Sequence, residues 1–213
     1  NPAPVAGFRG MVGASRSYTH ALAVRADGTA WGWVSRGIGT GNPTSAPHPI
    51  TGLTGIVAAA AGGLYSLFLR RDGTVWALGR NNEGQLGDGT TTDRGAPVKV
   101  PGLAGAVAIA ASNAHTQYLA ARPDGGFNYV DRSRSYALKG DGTVWAWGTG
   151  LLGAGPLAPV QQAGFSGATA IAAGESHLLV LKSDATVWAI GSDGSGERGK
   201  RAETHPPAPG AGG

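Results

Sequence analysis

Five polar side chains recur at one spacing. His20, Tyr65, Gln117, Arg134 and His177 each stand seven residues before an aspartate: Asp27, Asp72, Asp124, Asp141 and Asp184. Imidazole, phenol, amide and guanidinium groups gathered on one face would make a shallow polar pocket able to hold a partner's side chain, a sugar or an anion. With His20, His177, Tyr65 and Arg134 converging, the same pocket could serve a lyase or hydrolase acting on an anionic polymer. The structural reading of the position is that its histidine braces a turn as an ordinary satisfied polar group. Six tryptophans form the second group. Trp31, Trp76, Trp145 and Trp188 share one repeat position, and Trp33 and Trp147 follow two residues later on the same strand face. Packing accounts for the first four. Trp33 and Trp147, which give way to Leu78 and Ile190 in the other copies, are the pair expected to be exposed for binding.

The elements that must position these groups are repeats. Asp72-Gly73-Thr74-Val75-Trp76-Ala77-Leu78-Gly79 returns as Asp141-Gly142-Thr143-Val144-Trp145-Ala146-Trp147-Gly148, and with changes from Asp27 and from Asp184-Ala185. An Asp-Gly turn feeding a strand of β-branched and aromatic residues is a hairpin signal. Its return at intervals of tens of residues predicts a propeller or solenoid. The clearest unit runs from Leu53 to Val100: four short strands, enough for one four-stranded antiparallel blade, with Ala58 to Ala61 suited to a crowded inner strand. The expectation is an all-β chain, a β-propeller of four-stranded antiparallel blades, four or five in number, one abbreviated between Gly125 and Arg134. Residues 1–205 are expected to form one domain closed by the N-terminal strand, with a Pro/Gly-rich tail or linker over 206–213.

Three elements resemble the regulator of chromosome condensation repeat family. They are the Gly174-Glu175-Ser176-His177 turn, the Asp-Gly-Thr-Val-Trp-Ala-Trp-Gly run, and Asn81-Asn82-Glu83-Gly84-Gln85-Leu86-Gly87-Asp88-Gly89-Thr90. The resemblance covers nearly the whole chain and implies a β-propeller, usually seven-bladed in that family, so that this chain could be part of such a ring. Its Ala- and Gly-rich wording is closer to bacterial secreted or cell-surface members than to the eukaryotic nuclear exchange factor. At the level of the repeat the chain is also similar to propeller-type β-lactamase inhibitory proteins, which bind through aromatic and polar loop residues of one face.

Composition narrows the classes. The 38 glycines and the low charged fraction, 14%, fit many turns and little helix. A net charge of +4 spread along the chain implies no nucleic-acid partner. No apolar stretch approaches the roughly 20 residues of a membrane helix. The absence of cysteine excludes disulfides, thiolate catalysis and Cys-ligated zinc. Metal binding by His20, His177 and His115 is disfavoured, because no His-x-His or His-x-x-x-His spacing occurs. The Asn81–Gly89 loop lacks the alternating donors and terminal Glu of an EF-hand. No nucleophile elbow, phosphate loop or dinucleotide fingerprint is present, so no cofactor is expected. The reading that results is a binding module for a protein or glycan on one propeller face, with a β-lactamase inhibitor or a polymer-cleaving enzyme as the alternatives, and a secreted or cell-surface location.

Overall fold

The computed structural model describes residues 5, 8–34, 46–112, 117–121, 127–131, 133–149 and 155–191, with the backbone alone at 34, 117–121 and 127–131. All regular structure in them is strand. Blade 1 holds β1 (Met11–Arg16), β2 (His20–Arg25), β3 (Ala30–Val34) and β4 (His48–Pro49); blade 2 holds β5 (Ile56–Ala61), β6 (Tyr65–Arg70), β7 (Val75–Gly79) and β8 (Arg94–Lys99). In blade 3, β9 (Ala106–Ala111) is followed in the chain by β10 (Gln117–Ala121) and β11 (Phe127–Asp131), yet it pairs with β12 (Arg134–Lys139). The blade is completed by β13 (Val144–Gly148) and β14 (Val160–Gln161). Blade 4 contributes β15 (Ala168–Ala173), β16 (His177–Lys182) and β17 (Val187–Gly191). The expected antiparallel blades are therefore present, four in number, three of them four-stranded and the fourth with three strands among the described residues.

The abbreviated unit is not a blade. Strands β10 and β11 form a separate two-stranded hairpin, with Gln117 opposite Asp131. Too few residues separate Asp131 from Arg134 to supply a polar loop, an outer strand and a new inner strand. The free edge of β9 is taken by β12, whose Tyr136 and Leu138 enter the core next to blade 4. The expected N-terminal closing strand at 1–7, the loop from Val34 to Gly41 and the tail at 206–213 lie outside the described residues, apart from Val5 and the Val34 backbone.

Each turn that closes the second strand is built the same way. Asp27 Oδ1 accepts from the Thr29 amide at 2.9 Å and the Thr29 hydroxyl at 2.6 Å, and that hydroxyl accepts from Trp31 Nε1 at 3.0 Å. The set recurs at Asp72, Asp141 and Asp184. The Thr hydrogen bonds hold all four carboxyls below the usual carboxylate range. Glycine is required at the second turn position for two reasons. Gly28, Gly73 and Gly142 have φ of +83°, +76° and +78°, and a Cβ on them would stand 2.9, 3.0 and 3.0 Å from the Cα of Gly55, Gly105 and Gly167 at the start of the next blade. The close approach lets Gly28, Gly73 and Gly142 accept the amides of Ile56, Ala106 and Ala168.

Between the blades lie three apolar seams following one rule. The odd positions of a blade's second strand meet the even positions of the next blade's. Leu22 and Val24 pack with Phe68; Tyr65, Leu67 and Leu69 with Ala137; Tyr136 and Leu138 with Leu178 and Val180. The inner strands follow suit, β1 on β5, β5 on β9 and β9 on β15. Burying a side chain such as Leu69 or Val75 contributes about 1.5–3 kcal/mol, so the seams carry most of the fold's stability.

Candidate functional site

The recurrent polar position is real, but it belongs to the seams. His20, Tyr65, Arg134 and His177 are the first residues of β2, β6, β12 and β16. His20 Nδ1 lies 3.0 Å from the Ser17 hydroxyl and its Nε2 lies 2.9 Å from the Ser66 hydroxyl of blade 2. Beside it, Thr19 donates across the same seam to the Gly63 carbonyl. The Tyr65 hydroxyl donates to the Arg134 carbonyl of blade 3. Each bridge joins one blade to the next, where the two second strands begin.

The series breaks at blade 4. Leu178 stands where blades 2 and 3 place Ser66 and Ser135, so it offers Arg134 no acceptor. Arg134 Nε turns instead to the Thr149 carbonyl of its own blade. A cavity of about 190 Å³ lies there, lined among others by Arg134, Tyr136, Trp147, Gln162, Leu178 and Ile190. His177, at the last blade, has its Nδ1 buried without a hydrogen-bond partner. Gln117 sits in the β10–β11 hairpin and not in a blade, and its side chain is outside the described residues, as is His115.

These environments decide the chemistry. His20 is 4% exposed, and burial lowers its pKa to about 4. It is neutral at pH 7, one nitrogen donating and the other accepting. Burial likewise drives the Tyr65 hydroxyl far upward. His20 and Ser66 have the separation of a base and a nucleophile, but Ser66 is wholly buried, so the pair fastens the seam. Among the described residues the expected central pocket is therefore not formed: His20 and Tyr65 each bridge a seam, Arg134 bonds within its own blade, and His177 stands on the last blade. Among the described residues, no group of three or more His, Asp or Glu side chains could hold a metal ion. The Asn81 loop spends its oxygens on the protein: Asn81 Oδ1 accepts from the Leu86 amide, and Asp88 pairs with Arg94 at 2.7 Å.

The tryptophans also depart from expectation. Trp147 is 1% exposed, its Nε1 donating to the Gln85 carbonyl at 2.9 Å. Trp33 is half-buried against Phe8, with ring centroids 5.4 Å apart. Both occupy the position that Leu78 and Ile190 use to face the preceding blade, which explains the burial of Trp147; Trp33, in the first blade, is covered by Phe8. Trp31, Trp76 and Trp145 are half-buried, each with Arg25, Arg70 or Lys139 over its ring. Trp188, beneath Lys182, is 49% exposed.

A surface that the repeat comparison missed lies on the inner strands. Each has a β-bulge at its second residue: the register slips at Met11/Gly13, Ile56/Ala58 and Ala168/Ala170, and in β9 between Ala106 and Ala108. The extra residue turns outward. Val12, Val57 and Val107 are 64%, 39% and 58% exposed, and the exposed Thr169 continues the series. With the inner strands packed in sequence, these four form an arc at the end of the blades that carries the Asp turns. The signal in the sequence was a valine two residues after a glycine, in Gly10-Met11-Val12, Gly55-Ile56-Val57 and Gly105-Ala106-Val107. In a run of small apolar residues it reads as core.

Comparison with known proteins supports the repeat and the fold. Two models described as the regulator of chromosome condensation (RCC1) repeat match residues 72–119 and 56–85. No curated protein sequence matches the chain. Among solved structures, human WBSCR16 is 19% identical, with a TM-score of 0.70 over 88% of this chain and 49% of that one. Yeast RCC1 (Prp20) bound to Kap60 is 17% identical, with a TM-score of 0.66 over 86% of this chain and 44% of that one. Prp20p from Saccharomyces cerevisiae, in a structure described with its binding properties to Gsp1p and histones, is 18% identical, with a TM-score of 0.65 over 85% and 45%. The chain thus has an RCC1-like propeller fold and spans about half the length of the solved chains it matches.

Proposed function

We propose that this chain is a protein-binding module, and that it binds through the valine arc on the face of the Asp turns. The observation that carries the reading is the outward position of Val12, Val57 and Val107 on three successive blades. Aliphatic side chains repeated at a bulge on a rigid scaffold form an apolar inner rim, of the kind that marks an interaction site. Outside the arc, Arg25, Arg70, Lys139 and Lys182 sit over their tryptophans, with Asp72 and Asp141 beside Arg70 and Lys139. An apolar centre with a charged rim is the anatomy of a protein interface. A protein is favoured over a glycan because the arc is aliphatic and presents no aromatic platform. The protein partners in the descriptions of the yeast neighbours agree with this use of the fold.

The test is site-specific photo-crosslinking in cells, with the photoreactive residue at Val57 or Val107 and, as control, at Gln162, which follows the outer strand of blade 3, away from the inner strands. A discrete protein adduct from the valine positions that disappears in a folded Val12→Asp variant is expected. That adduct, purified, should bind the wild-type chain at least tenfold more tightly than the variant. Adducts from Gln162 alone, or equal binding by the variant, would overturn the assignment.

A further inference from the structure

The three seams share one construction, and the two ends of the arc display its two separate halves. Blade 4 presents the odd-position half. Val187 is 66% exposed, whereas its counterparts Ala30, Val75 and Val144 are 1%, 0% and 0% exposed. Leu181 is 40% exposed, against at most 3% for Val24, Leu69 and Leu138. Leu179 and His177 complete this half, the latter with its unpartnered Nδ1. Blade 1 presents the even-position half. Phe8 stands where the later blades have Leu53, Leu103 and Phe165, each buried in a seam, and Trp33 where they have Leu78, Trp147 and Ile190. Among the described residues, no strand of blade 4 packs extensively on blade 1.

We propose that these two faces dock on each other between two copies of the chain, blade 4 of each copy packing on blade 1 of the other. Continuity with the existing seams carries the argument: each free face is one half of an interface the chain already builds three times. The arc also superposes on about half of each longer propeller chain, so two arcs supply a ring's worth of blades. A heterologous contact of this type closes when two copies complete the turn.

Two positions in the new seam set its strength. His177 meets Ala21 where His20 meets Ser66, so no polar bridge forms, as at the third seam. Ala185, at φ +64°, replaces the turn glycine that elsewhere touches the next blade's backbone. Its methyl would face Gly10 of the other copy, holding the faces a few tenths of an ångström further apart. The seam is therefore weaker than the intramolecular three.

The chain has no cysteine, so Val187→Cys provides a single thiol for labelling. Its modification rate is expected to fall at least tenfold between nanomolar and high-micromolar protein, in step with dimer formation by sedimentation. Adding Ala185→Gly should move that midpoint to lower concentration. Val187→Asp and Phe8→Asp, each folded and monomeric alone, should associate when mixed, because the mixture keeps one intact pair of faces. A thiol reactive at every concentration, or one protected at every dilution because the chain's own segment covers it, would overturn the proposal. So would a dimer indifferent to both aspartates.

Discussion

His20 Nε2 and the Ser66 hydroxyl lie 2.9 Å apart across the seam between blades 1 and 2, with both residues removed from solvent. The hydrogen bond is available to a neutral imidazole, while protonation would put an unpaired charge into the seam. Burial depresses the His20 pKa to about 4, against an ordinary value of 6.5. The unfolded chain therefore binds the proton more readily, and acid favours unfolding. This stability is complete above pH 6.5 and is lost as the pH falls towards 4, a change of roughly 3 kcal/mol. Denaturant titrations at pH 7, 5.5 and 4.5 should show the loss, and His20→Gln should flatten it from a lower starting stability. The turn aspartates, whose carboxyls lie below 3.8, act at lower pH and leave this window clear.

Tyr65→Phe keeps the ring in the second seam but removes the donor to the Arg134 carbonyl. The carbonyl still accepts the Ser112 amide at 2.8 Å, so the cost is that of one hydrogen bond, about 0.5–1.5 kcal/mol. A lower urea midpoint with an unchanged m-value is expected. An unchanged midpoint would show that this bridge adds nothing to the seam.

Gly73→Ala and Ala185→Gly should move stability in opposite directions. At Gly73 a methyl adds left-handed strain and meets Gly105 Cα at 3.0 Å, for a loss of about 2–4 kcal/mol. At Ala185, φ +64°, glycine relieves the strain of the only described non-glycine residue in that region. The greater freedom of glycine in the unfolded chain offsets part of the relief, leaving a gain of about 0.5–1 kcal/mol. Melting measured under dilute, monomeric conditions separates this effect from association.

Tryptophan fluorescence should report the contrast between Trp188 and Trp147. Acrylamide is expected to quench the native protein mainly through Trp188, so that Trp188→Phe removes most of the readily quenched emission. Trp147→Phe should remove a shielded, blue-shifted component and destabilise the chain through the lost bond to Gln85. Equal quenching in the two variants would place the rings in similar surroundings, contrary to their 49% and 1% exposures.

The blades were legible because the Asp-Gly-Thr-x-Trp turn is local. Asp27, Thr29 and Trp31 make their hydrogen bonds within five residues, and the same types at the same offsets rebuild the turn wherever they occur. The candidate site was half legible. The seven-residue spacing found His20, Tyr65, Arg134 and His177, which do hold equivalent places on β2, β6, β12 and β16. Their direction was not legible, because a side chain at the start of a strand can point into a central pocket or into the seam, and only the next blade decides which. Trp147 was expected at the surface for the same reason, since its burial depends on Gln85 and Gly87 from the loop of another blade.

The sequence by itself determined the all-β architecture, the blade unit and the position of the odd segment between Gly125 and Arg134. All of these rest on contacts between residues close in the chain. Tertiary structure alone decided that β9 pairs with β12 and leaves β10–β11 as a separate hairpin, because two competing second strands follow one inner strand. It also decided that His20 and Tyr65 fasten seams and that the bulge valines face outward. Val57 and Val75 have the same chemistry, yet one is exposed and the other wholly buried. The bulge turns Val57 outward, whereas Leu103, Ala106 and Ala137 of the next blade cover Val75, a contact made by residues far apart in the chain.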